Sequence, residues 1–191
     1  MSASASEEHR QRPPIPIRPF DAEAAASAHC DLAAWLAGCL GPAPQVVDRV
    51  VVAERPSRGA PLPVGEVAAA VDAGRGRAAA AAADGVTVLV GTGGAEEPGS
   101  RVSSALMTLM AGPLGILRRQ GDAETALLCG LALGAGERGL AYVPDGPAAF
   151  AGAAVAIALE PSLRPRVRAS DDIGRDLESA VAALREAAAG C

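Results

Sequence analysis

The chain has 191 residues, the length of one ordinary domain with a core of its own. Half of the residues are apolar but only 2% are aromatic, so the core must be built from Ala, Val and Leu. The net charge is −5, and all 17 strongly basic residues are Arg, with no Lys. An acidic chain almost without aromatics has neither the basic footprint nor the stacking platforms of a nucleic-acid binder.

The first segment, 1–20, is Ser, Glu, Arg and Pro with little to bury, and it is expected to be a disordered lead-in to a single α/β domain over 21–191. It has no basic-then-apolar leader, and charges interrupt the alanine-rich runs before they reach membrane-spanning length, so a soluble, cytoplasmic protein is expected. Cys30, Cys39, Cys129 and Cys191 are scattered without a CxxC pair, which predicts reduced thiols and no metal site.

Asp21 can cap a helix running to about Leu40, with Leu32, Trp35, Leu36 and Leu40 as its apolar stripe and Gly41-Pro42 as its stop. Trp35 reads as a packing anchor. Gln45–Ala53 is a strand candidate, and Glu54–Pro63 is too rich in Pro, Gly and charge to be regular. Val64–Ala83 reads as a long alanine-rich helix, weakened at Gly74 and Gly76 by roughly 1 kcal/mol each.

Val86–Val90 is a run of mostly β-branched residues bounded by Asp84-Gly85 and by Gly91-Thr92-Gly93-Gly94, so it predicts a buried strand ending in a glycine-rich turn. Ser100 is a plausible N-cap for a helix to Ala111, after which Gly112-Pro113 breaks the chain and Leu114–Gln120 turns it back. Ala123–Gly136 follows as a helix, Gly139–Val143 as a short strand, and Pro147–Leu159 as another alanine-rich helix. Val167–Ser170 is a last strand candidate, and Asp171 or Asp172 caps a final helix to about Ala189. Strands alternating with helices predict an α/β fold, Rossmann-like, with a mostly parallel sheet covered on both faces.

Three stretches can carry chemistry. The loop from Gly91 to Gly99 ends a strand and precedes a helix, the usual ligand position of an open α/β sheet. Without Lys it is no P-loop, but its amides with Thr92, Ser100 and Ser103 can hold one phosphate. A tight structural turn explains it equally well, and Glu96 and Glu97 oppose an anion. Asp145-Gly146 also follows a strand, so Asp145 can accept a ribose hydroxyl; the simpler reading is an Asp-Gly turn whose carboxylate caps the next helix. Glu178 can serve as a general base if burial raises its pKa, or can merely complement the dipole of the last helix. Arg58, Arg164, Arg166 and Arg168 can meet phosphates, but most surface arginines are only solvated.

Together these segments resemble the nicotinate-nucleotide–dimethylbenzimidazole phosphoribosyltransferase family. Pro63–Gly94, PVGEVAAAVDAGRGRAAAAAADGVTVLVGTGG, is similar to that family's long helix, strand and glycine loop. Gly121–Leu159, GDAETALLCGLALGAGERGLAYVPDGPAAFAGAAVAIAL, matches its helix, short strand, DG turn and alanine-rich helix. Ile173–Ala188, IGRDLESAVAALREAA, resembles the terminal LGxRLGEGxGAAxAL segment, with Arg175 and Glu178 in its R-x-x-E spacing. Arg49–Ala53 more distantly resembles the strand before the family's Asp-His-Gly.

The resemblance implies a homodimeric pentosyltransferase of cobalamin lower-ligand assembly, without a cofactor. It would move phosphoribose from nicotinate mononucleotide to a benzimidazole-type azole base. Glu178 would be the base acting on the azole nitrogen, and Arg175 would bind the substrate. Gly91, Thr92, Gly93, Gly94 and Ser100 would face the nucleotide, and Asp145 and Gly146 would occupy the DG position. The family's GEMGIGNTT loop reads GTGGAEEPGS here, and Ser179-Ala180-Val181 replaces its Gly-x-Gly. The alternative is therefore a catalytically degenerate relative that binds a nucleotide, a corrinoid precursor or a partner.

Overall fold

The computed structural model describes residues 32–41, 46–52, 61–94, 99, 101–105 and 112–168. Its elements are α1 (Leu32–Leu40), β1 (Val47–Val52), α2 (Val64–Ala83), β2 (Val88–Gly93), α3 (Pro113–Gln120), α4 (Ala123–Glu137), β3 (Ala141–Asp145) and α5 (Pro147–Leu159). A 3-10 turn at Pro161–Arg166 follows, and Gly99 and 101–105 are helical. The expected lead-in over 1–20 and the final helix lie outside the described residues.

The three described strands form one parallel sheet in the order β1-β2-β3. Val167 adds a single parallel bridge to Tyr142, all that is described of the predicted last strand. Side chains alternate across the sheet, so two cores result. Leu89 and Tyr142 face α2, α4 and α5 in the larger one. Val88, Val90, Ala141 and Val143 face the other way, onto Leu36 of α1. Both faces are covered, as an α/β fold requires.

The scarcity of aromatics is met by close backbone packing. Helix α4 is buried on nearly every side, which a helix apolar all round demands. It approaches α2 through Gly74, Gly130 and Gly134, and α5 through Gly152. A Cβ added at Gly74 would lie 2.6 Å from the Leu131 nitrogen, and one at Gly152 2.7 Å from the Cys129 nitrogen. Gly74 is thus a packing contact as well as a weak helix former, whereas Gly76 is exposed with nothing near it.

Three boundaries differ from expectation. Strand β2 starts at Val88 and runs through Gly93, so most of the predicted turn is strand. The break predicted at Gly112-Pro113 is confined to Gly112, an extended N-cap, and Pro113 already belongs to the first turn of α3, where its missing N–H costs nothing. Strand β3 extends to Asp145, two residues further than its apolar run. Trp35 is an anchor, but a polar one as well: its Nε1 donates to the Pro165 carbonyl at 2.8 Å, tying α1 to the 3-10 turn. No described helix is long and apolar enough to cross a membrane.

Candidate functional site

The carboxyl ends of β2 and β3 lie side by side, with Thr92 in register with Asp145. The parity of the strands then sorts the residues of the glycine stretch. Gly91 and Gly93 point toward α4 and are buried. Gly91 makes room for the Tyr142 ring, and a Cβ on Gly93 would fall 2.6 Å from Glu124 Oε1. Their contribution is space. Thr92 points to the opposite face and is partly accessible, and Gly94 is exposed, so these two remain open to a ligand.

Asp145 does not cap α5. That role falls to Gly146, whose φ of 90° is a left-handed conformation that only glycine adopts cheaply, and no side chain caps this helix. A side chain on Gly146 would also collide with the Gly93 carbonyl, so the two strand ends close to backbone contact there. The Asp145 carboxylate is freed for the sheet. Thr92 Oγ1 donates to its Oδ2 at 3.1 Å, and Arg49 Nη1 donates to the same oxygen at 3.2 Å. Among the described residues both bonds end on Oδ2, leaving Oδ1 to accept from a ligand hydroxyl. The ion pair is half-open to solvent, with side-chain exposures of 43% for Arg49 and 34% for Asp145.

The far end of the glycine stretch returns to the same place. Gly99 is buried, and a Cβ on it would sit 2.7 Å from the Pro147 carbonyl carbon, at the start of α5. The two ends of the loop thus close on the Asp-Gly corner from both sides. Ser100, Arg175 and Glu178 lie outside the described residues. Arg166, counted among the phosphate-capable arginines, bonds instead to the Gly139 carbonyl at 2.6 Å.

Two residues near the site were not singled out by sequence reasoning. Arg49 sits inside a strand, where a lone charge reads as a solvated edge; only the register of three strands carries it to Asp145. Glu124 is buried in the first turn of α4 beside Gly93, where an acid reads as dipole complement. Asp122, ahead of it, caps α4 through the Thr125 amide and hydroxyl, each at 2.8 Å. Among the described residues no group of three or more His, Cys, Asp or Glu is placed to hold a metal ion. A carboxylate and a hydroxyl at adjacent strand ends, reached by a guanidinium from within β1, suit a polyhydroxylated ligand with an anionic group.

Compared with family models, residues 100–186 match one described as a phosphoribosyltransferase. A comparison by sequence with curated proteins finds no match. Among solved structures the fold is similar to that of CobT from Thermus thermophilus, with a TM-score of 0.55 and 20% identity, over 90% of this chain and 79% of that one. It is similar as well to nicotinate-nucleotide-dimethylbenzimidazole phosphoribosyltransferase from the same organism, with a TM-score of 0.52 and 21% identity, over 85% of this chain and 70% of that one. At these identities the likeness is one of fold.

Proposed function

With residues 100–186 matching the phosphoribosyltransferase family, we propose that the protein transfers phosphoribose from nicotinate mononucleotide to a benzimidazole-type base at the carboxyl edge between β2 and β3. Asp145 Oδ1 and Thr92 receive the ribose hydroxyls. The Gly94 amide and the Ser100 hydroxyl hold the phosphate. Glu178 takes the proton of the azole nitrogen as the other ring nitrogen attacks the anomeric carbon, and nicotinate leaves with the electrons of the glycosidic bond. Arg175 binds the substrate. The reading includes a homodimer in the cytoplasm.

The observation that carries the reading is the Thr92–Asp145 pair. A hydroxyl and a carboxylate from the two candidate stretches meet across neighbouring parallel strands, where an open sheet holds a sugar. The test is nicotinate release by purified protein given nicotinate mononucleotide and dimethylbenzimidazole. Turnover is expected, with Glu178→Gln lowering kcat by about a hundredfold or more, the usual worth of a positioned base. No release from the wild-type protein would end the catalytic reading. A second reading is favoured by Ser179-Ala180-Val181 after Glu178: a relative that binds the nucleotide or a corrinoid precursor without turning it over. Thermal stabilisation by nicotinate mononucleotide without nicotinate release selects it.

A further inference from the structure

The Arg49 guanidinium has no evident structural duty on its own strand. It stands on β1, the edge strand of the described sheet, in register with Val90. Its neighbours on the same face include Val51, which is 64% exposed, so the surface around it is open. To reach Asp145 its side chain must cross the whole width of β2, roughly 10 Å of sheet for two inter-strand spacings. It therefore crosses the face of β2 from mid-strand and meets the carboxylate through one nitrogen on one oxygen. An end-on contact of this kind uses one of the several N–H donors in the fork.

The charge around the site explains why such a donor is needed. The chain is net acidic, and Asp145 is itself a carboxylate. A phosphate brought there meets repulsion unless a cation faces it, and without a Lys in the chain the cation must be an arginine.

We infer that Arg49 makes this site selective for a phosphorylated ligand: anchored to Asp145 by one nitrogen, it presents its remaining N–H groups to the phosphomonoester of the nucleotide whose sugar Asp145 and Thr92 hold. The inference rests on the nucleotide reading of the site given above. Arg49 is a specificity residue, and its absence leaves sugar recognition in place.

Calorimetric titration of the full chain with nicotinate mononucleotide and with nicotinate riboside, which lacks only the phosphate, tests it. The wild-type protein is expected to bind the mononucleotide about tenfold or more tightly than the riboside, as a charge-assisted contact implies. In Arg49→Gln that preference is expected to collapse to within about twofold, through loss of mononucleotide affinity, with riboside affinity nearly unchanged. Arg49→Lys is expected to keep part of the preference, since it retains charge but not the fork. A preference that survives in Arg49→Gln overturns the inference and spares the nucleotide reading, as does an equal loss for both ligands, which marks Arg49 as a mere clamp on Asp145. A wild-type protein that binds neither ligand overturns both. Melting curves of the two variants, compared with that of the parent, separate a lost contact from a lost fold.

Discussion

Gly146 and Tyr142 show how single residues shape this sheet edge. Gly146 combines a φ of 90° with a close approach to the Gly93 carbonyl, so Gly146→Ala meets strain and collision together. It is expected to cost about 1–3 kcal/mol, read as a lowered urea midpoint, and to weaken the proposed nucleotide binding as the strand ends part. The Tyr142 hydroxyl is buried beneath Gly91, without a hydrogen-bond partner among the described residues. Its burial is a standing loss that the ring's packing offsets. Tyr142→Phe should therefore be neutral or stabilising by up to about 1 kcal/mol in the same unfolding measurement. A substantially lowered midpoint would show that the hydroxyl has a partner after all.

The helix pair α2–α4 sets the distance between layers. Its glycines matter by position, and α2 offers a built-in comparison. Gly74 faces α4 with its backbone against Leu127, Gly130 and Leu131, whereas Gly76 faces open solvent two residues later. Gly76→Ala is expected to stabilise by up to about 1 kcal/mol, the intrinsic helix preference and nothing more. Gly74→Ala gains the same preference but forces the helices apart, and a net loss of about 1–3 kcal/mol is expected. Chemical unfolding of the two variants side by side checks the opposite signs. The position of the site depends on the same packing, because α4 carries Glu124 against the end of β2.

Across the whole molecule, the buried ionisable groups define where stability falls with pH. Desolvation pushes the Cys129 thiol from its ordinary 9.0 up to about 12, against a smaller opposing pull from Arg75. Burial, reinforced by Cys129, raises the Tyr142 phenol above its ordinary 10.0 as well. Both groups hold their protons longer in the folded protein than in the unfolded chain. Their contribution is fully present below about pH 9 and is lost as pH climbs toward the folded values, at up to about 1.4 kcal/mol per pH unit for each proton released on unfolding. Urea midpoints are expected to be level near neutrality and to drop above about pH 9, less steeply in Cys129→Ala. The same burial makes Cys129 unreactive toward thiol reagents in the native state.

Much of this was legible from residue order, and the reason is local. Val64–Ala83 and Pro147–Leu159 are bounded in the structure as their alanine runs, prolines and stop signals indicate, because those signals act within a few residues. Alternating helices and strands likewise implied a parallel sheet, since short chain segments leave few other ways to cover both faces. The extent of β2 through Gly91 and Gly93 was hidden, because glycine reads as a turn until Tyr142, Leu128 and Glu124 arrive from elsewhere to fill the space beside it. Asp145 looked like a helix cap for the same reason. Its partners, Thr92 and Arg49, are 53 and 96 positions away and meet it only through strand order, which no local preference encodes. Residue order determined the elements and their alternation; tertiary structure decided which side chains face one another at the strand ends, because long-range register, not nearby sequence, sets which groups share a sheet face.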